Sequence, residues 1–125
     1  MVSSNKVALV TGGTRGIGES ISKKLKKDGY TVIANYASND EKAQKFSSEN
    51  GIEVMKWDVS DYEKSSSEIT KIYEKYKTID ILINNAGITR DAPLHKMSVE
   101  NWNKVINVNL NSVFNITSLV VNKMR

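Results

Sequence analysis

Lys6-Val7-Ala8-Leu9-Val10-Thr11 runs directly into Gly12-Gly13-Thr14-Arg15-Gly16-Ile17-Gly18. The first stretch is short, rich in valine and leucine, and broken at once by glycines, which reads as a buried strand. Beyond the glycines, Ile17, Ile21 and Leu25 recur every fourth residue and give a helix an apolar face. A helix that opens this way has free N–H groups at its start, and together with its dipole they favour an anion. Gly12 suits the tight turn after the strand. Gly16 and Gly18 let the backbone approach a pyrophosphate and let the helix sit close to the sheet. The spacing is G-x-x-x-G-x-G, and no Lys-Ser or Lys-Thr follows it. That argues against a phosphoryl-transfer loop and for dinucleotide binding.

The same alternation continues outward. Asp28-Gly29 closes the first helix, with glycine where a left-handed cap is wanted. Residues 30–36 form a second strand, and Ser38 with Glu41 has the spacing of a capping box for a helix that runs to Asn50-Gly51. Residues 52–57 form a third strand, and Ser60 with Glu63 repeats the box. The third helix carries Ile69, Ile72, Tyr73 and Tyr76 on its inner face. Residues 79–83 form a fourth strand, apolar enough to expect cover on both faces. Ser98 caps a last helix in which Trp102, Val105, Ile106, Asn109, Val113, Ile116, Val120 and Met124 follow helical spacing, with Leu110, Phe114 and Val121 widening the apolar arc. Strands alternating with helices predict a Rossmann-like, doubly wound α/β sheet of parallel strands in the order 3-2-1-4.

The chain has 125 residues, enough for one domain with a real core. Hydrophobic residues make up 39% and charged residues 26%, the balance of an ordinary soluble globular chain. No apolar run is long enough for a membrane span. There is no cysteine, which excludes disulfide and thiolate chemistry and makes the cytoplasm the simplest home. No metal site is expected. The net charge of +4 raises the question of nucleic acid. The strongest basic cluster, Lys23, Lys24, Lys26 and Lys27, reads instead as a solvated helix face, so nucleic acid is not an expected partner. A positive balance also suits dinucleotides and coenzyme A esters.

Thr11-Gly12-x-x-x-Gly16-x-Gly18, then Asp58-Val59 after the third strand and Asn84-Asn85-Ala86-Gly87 after the fourth, resemble the motif series of the short-chain dehydrogenase/reductase family. The resemblance covers the whole chain. It is closer to the family's acetoacetyl-CoA and 3-oxoacyl-carrier-protein reductases along Ile83 to Asp91 and at Trp102, Val105-Ile106, Asn109-Leu110 and Phe114-Asn115. It implies that Gly12, Thr14, Arg15, Gly16, Ile17 and Gly18 hold the cofactor's phosphates. It also implies that Asp58 bonds the adenine amino group beside Val59, and that Asn85, Ala86 and Gly87 line the ribose next to the nicotinamide. Asn109 matches the asparagine of the family's proton relay, and Asp91 matches a position near the substrate mouth. The cofactor choice has a physical argument of its own. The second strand ends in Asn35, Tyr36, Ala37 and Ser38, without the carboxylate that holds an NAD ribose. Arg15 is then the cation for a 2′-phosphate, with Lys42 assisting, so NADP(H) is expected.

In the family the reducing proton comes from a tyrosine four residues before a lysine, with a serine on the carbonyl, all after a fifth strand. Tyr73 and Lys77 have that spacing but lie on the third helix, ahead of strand four, and His95 sits alone in a loop; none is assigned a role. Residues 1–125 are therefore expected to form an NADP(H)-binding half-domain that is inactive alone, about half the family's domain length. An acyl-CoA or acyl-carrier-protein would be its substrate when completed. The rival reading is a non-catalytic nucleotide-binding or oligomerising protein. An open strand four and an apolar last helix predict a homo-oligomer.

Overall fold

The computed structural model describes residues 6–88 and 92–125. It contains strands β1 (Val7–Val10), β2 (Thr31–Tyr36), β3 (Glu53–Lys56) and β4 (Ile81–Ile83), and helices α1 (Gly16–Lys27), α2 (Asp40–Asn50), α3 (Tyr62–Tyr76), α4 (Val99–Ile106) and α5 (Ser112–Met124). The sheet order is β3-β2-β1-β4, and every pairing is parallel. In β1, Leu9 lies opposite Ile33 of β2 and Leu82 of β4, so the strand the sequence marks as most apolar is an inner one.

The sheet separates two apolar cores. Val7, Leu9 and Ile33 point into one core, with Ile69 and Ile72 of α3 and Ile116 and Val120 of α5. Val10, Val32 and Ala34 point into the other, against Phe46 of α2 and the half-buried Ile21 and Leu25 of α1. Neighbouring residues of one strand face opposite layers, so a continuous valine-leucine run needs helices on both sides. The expected doubly wound order is what the structure has. β4 departs from expectation: its residues are only half-buried, because β1 is its sole partner among the described residues.

Two helix starts shift by one residue. Asn39, not Ser38, caps α2, accepting from the Lys42 N–H at 3.1 Å with a left-handed backbone at φ 64°. Asp61, not Ser60, caps α3, accepting from the Lys64 N–H at 3.0 Å. In both places a residue that caps about as well as serine stands beside it, and the path of the chain gives that neighbour the cap. Ser98 does cap α4, accepting from Asn101 N–H. The last helix is not uniform. A π-helical stretch, Asn107–Asn111, joins α4 to α5. Its wider turn breaks the phase of the expected apolar stripe. Ile116 and Val120 are fully buried, while Trp102 and Val113 stay exposed and Ser112 and Asn115 face inward instead.

Candidate functional site

Parallel strands end at one edge of the sheet, and the segments that leave them there enclose a groove of about 570 Å3. Its walls come from the turn after β1 (Gly12, Thr14, Arg15, Gly16), the end of β2 and the start of α2 (Asn35 to Asn39, Lys42), the segment after β3 (Trp57, Asp58, Val59) and the segment after β4 (Asn85 to Ile88), with Lys104 and Val108 beyond. A groove at the carboxyl ends of parallel strands is where open α/β sheets place ligands.

The turn after β1 is held by side chains that the glycine spacing does not announce. Thr11 is buried, and its hydroxyl accepts from the N–H groups of Asn85 and Ala86, both at 3.0 Å. Asn85 Nδ2 donates to the Gly12 carbonyl at 3.0 Å. Asn35 Oδ1 accepts from Gly12 N–H at 3.2 Å, and the Asn35 carbonyl accepts from Gly13 N–H at 3.0 Å. The loop thus has a fixed place between β2 and the segment after β4.

Two glycines of the loop are required by conformation and two by contact. Gly12 and Gly16 have φ of 61° and 57°. A Cβ on Gly18 would stand 2.0 Å from the Gly12 carbonyl oxygen, and one on Gly13 would stand 2.8 Å from Ser22 Oγ and 2.9 Å from Ala34 Cβ. Gly13 was invisible to the motif, because its neighbours arrive from α1 and β2. Gly16 lines the groove, and nothing lies within 4 Å of a Cβ added to it. A cradle that a side chain would fill fits a ligand pressed against backbone.

Charge is unevenly placed at the β2 end. Arg15, from the turn after β1, and Lys42 of α2 both line the groove. Lys42 is 4.0 Å from Glu19, but Glu19 is held more closely by Lys23 at 2.8 Å. The Lys23 hydrogen bond is the main reason the Glu19 carboxyl titrates below its ordinary range. The nearby acid Asp40 is engaged elsewhere: it accepts from the Tyr36 hydroxyl at 3.0 Å and from Lys56 at 3.2 Å, and Lys56 first, then Tyr36, holds its pKa down. Burial, followed by the Asp40 contact, raises that of Tyr36.

The remaining expected residues divide. Thr14, Asp58, Val59, Asn85, Ala86 and Gly87 all line the groove. Asp58 is exposed, and its Oδ1 accepts from the N–H and the hydroxyl of Ser60 at 2.9 and 2.7 Å. Ile17 is 74% exposed and, like Gly18, does not line the groove. Asn109 stands just outside it, in the π-helical stretch: Oδ1 accepts from Ile88 N–H at 2.7 Å and Nδ2 donates to the Ile88 carbonyl at 2.9 Å. Asp91 lies outside the described residues. Tyr73 packs against the core between α3 and α5, far from the groove lining, and Lys77 Nζ donates to the Glu74 carbonyl. His95 is exposed in the turn Leu94–Lys96. Sequence reasoning missed Trp57 and Lys104 as groove residues, and Thr11 and Asn35 as its supports. The one local sign was at Thr11, a polar residue directly after the apolar run of β1, whereas Asn35 lies within β2.

Such a sheet, opened by a glycine turn beneath a groove, defines an α/β protein of the dinucleotide-binding kind. The sequence model of the short chain dehydrogenase family matches residues 6–125. The chain belongs to that family. It is 53% identical to an acetoacetyl-CoA reductase of Paracoccus denitrificans over 96% of its own length and 50% of that protein. It is 43% identical to a 3-oxoacyl-(acyl-carrier-protein) reductase of Chlamydia trachomatis, again over 96% of this chain and 50% of the relative. A short chain dehydrogenase of Bacillus anthracis superposes with a TM-score of 0.86 at 33% identity, over 91% of this chain and 49% of that one. The chain therefore spans about half the length of the relatives it matches. No helix among the described residues is long and apolar enough to cross a membrane.

Proposed function

We propose that the chain is the NADP(H)-binding half of a 3-oxoacyl thioester reductase of the acetoacetyl-CoA type. One observation carries the cofactor choice. Arg15, from the turn after β1, and Lys42 of α2 both line the groove, no carboxylate from the end of β2 or the start of α2 lines it among the described residues, and Asp40 is tied to Tyr36 and Lys56. Two cations and no competing acid suit a 2′-phosphate; an NAD site puts a carboxylate at this place.

In this reading the turn from Gly12 through Thr14, Arg15 and Gly16 to Ile17 and Gly18 holds the pyrophosphate with backbone N–H groups at the start of α1. Asp58 accepts from the adenine amino group, and Val59 flanks the ring. Asn85, Ala86 and Gly87 line the ribose beside the nicotinamide. Asn109 keeps Gly87 and Ile88 in place and is the member of the proton relay that these residues supply. Asp91 belongs to the substrate mouth. Bound NADPH supplies the hydride for reduction of a 3-keto group.

The proton for that reduction has no donor in these residues. The last tyrosine in the sequence is Tyr76, so no Tyr-x-x-x-Lys follows β4 within residues 84–125. A polypeptide of these 125 residues accordingly binds NADPH and reduces nothing alone. A second reading, a nucleotide-binding unit that assembles with another copy, draws on the exposed Leu110 and Phe114 of the last helical stretch, at 62% and 68%. Equilibrium dialysis with NADPH and an acetoacetyl-CoA assay on the purified polypeptide test both halves of the proposal. Saturable binding without turnover is expected. Turnover would contradict inactivity, and a folded chain that ignores NADPH would contradict the cofactor.

A further inference from the structure

The sheet ladder stops at Trp57, whose N–H still donates to the Tyr36 carbonyl at 3.0 Å. The next residues have no strand to pair with, yet their carbonyls are buried and must find donors. Two carboxamides provide them. Asn35 Nδ2 donates to the Trp57 carbonyl at 2.9 Å, and Asn115 Nδ2 donates to the Val59 carbonyl at 3.1 Å, both in buried surroundings. These two carbonyls flank Asp58. Trp57, Asp58 and Val59 all line the groove, but Trp57 and Val59 are only 3% and 4% exposed, whereas the Asp58 carboxylate is exposed there, with Oδ1 accepting from Ser60. The two asparagines come from opposite sides, one from the middle of the sheet and one from α5, which is itself anchored by the fully buried Ile116 and Val120.

We propose that Asn35 and Asn115 are positioning residues of the cofactor site, which clamp the backbone on either side of Asp58 and so aim its carboxylate at the adenine amino group. The assignment rests on the cofactor reading given above. Asn35 has a further hold, since its Oδ1 accepts from Gly12 N–H. It sets the distance between the adenine wall and the phosphate turn. Among the described residues Asn115 does not line the groove, and its side-chain hydrogen bond to the site is the one to Val59. That makes it the cleaner residue to test. The carboxamide supplies the donor at both places, and a carboxylate or an aliphatic side chain offers the carbonyl none.

The test compares two ligands, NADPH and its reduced hypoxanthine analogue, in which a carbonyl replaces the adenine amino group. The wild-type 125-residue chain is expected to bind NADPH about tenfold more tightly than the analogue, the scale of one hydrogen bond to a carboxylate. In Asn115→Leu the preference should fall to about twofold or less, mostly through weaker NADPH binding. A merely structural role would weaken both ligands alike and leave the ratio unchanged, and that result overturns the proposal. A wild-type chain without preference overturns it as well. Asn115→Asp, of the same shape but without the donor, takes the place of the leucine variant if circular dichroism shows that one unfolded. Failure of both to fold also overturns it, since Asn115 would then serve folding and not the cofactor. Loss of NADPH binding by the wild type would be a failure of the proposed function itself, and is read separately.

Discussion

Arg15 is the residue on which the cofactor choice turns, because it lines the groove without an acceptor to neutralise it among the described contacts. Arg15→Ala is expected to weaken NADPH about tenfold or more and NADH little, as a charge-assisted contact to a 2′-phosphate would. Equal losses for both, by calorimetry, would place Arg15 on the pyrophosphate instead. Tyr73 makes the opposite case. Its hydroxyl is buried without a hydrogen-bond partner among the described residues, and burial, then the Asp80 charge, raises its pKa. Tyr73→Phe should leave stability unchanged or raise it by up to about 1 kcal/mol in a urea melt. A loss greater than that would mean the hydroxyl has a role. The pH consequence has a definite sign. The unfolded chain ionises its tyrosines near the ordinary value of 10.0, while Tyr73, Tyr36 and Tyr76 resist ionisation when folded. Their contribution is intact below that pH and is lost as pH rises through the higher folded values. Stability should therefore fall on the alkaline side, and less steeply in Tyr73→Phe.

At the level of elements, the turn between β1 and α1 separates conformation from contact. Gly16→Ala places a side chain in open space at a left-handed φ of 57°, at a cost of about 1–2 kcal/mol. The fold should survive and NADPH binding should weaken, because Gly16 lines the groove where backbone is expected to meet the pyrophosphate. Gly18→Ala would put a carbon 2.0 Å from the Gly12 carbonyl oxygen, so it should lower the melting temperature far more. Equal melting temperatures for the two variants would contradict the close approach of α1 to the turn. Much of this region was legible in the sequence. The run Val7–Val10, the spaced glycines and the apolar spacing of Ile21 and Leu25 follow from local periodicity, but Ile17, expected on the same apolar face, is 74% exposed and joins neither core. Gly13, Thr11 and Asn35 were not legible as supports, because their partners Ser22, Ala86 and Trp57 are brought to them only by the packed sheet. The same limit explains the caps at Asn39 and Asp61. Adjacent residues there could each serve, and only the chain's path selects one. The π-helical stretch escaped for another reason: a strict helical period cannot register one widened turn.

Across the molecule, one surface stands out after the groove. Leu110, Val113 and Phe114 are exposed together near the junction with α5, and Val121 is 41% exposed further along that helix. On the opposite edge of the sheet β3 ends the order, and on this side β4 does. We expect the chain to self-associate through the last helix or β4, as contiguous apolar surface drives. Analytical ultracentrifugation should show a dimer or larger species that Phe114→Glu shifts toward monomer; a wild-type chain that stays monomeric at high concentration would contradict this. The fold and the placing of the groove followed from the alternation of strands and helices, whereas β4's half-buried state depends on what stands beside it. The glycine turn and the β2 end are expected to form together a site for NADPH. Its most direct measurement is a titration of the 125-residue chain with NADPH and with NADH, followed by energy transfer from tryptophan, since Trp57 lines the groove. Saturable binding with at least about a tenfold preference for NADPH is the predicted result; equal affinities, or no binding by the folded chain, would contradict it.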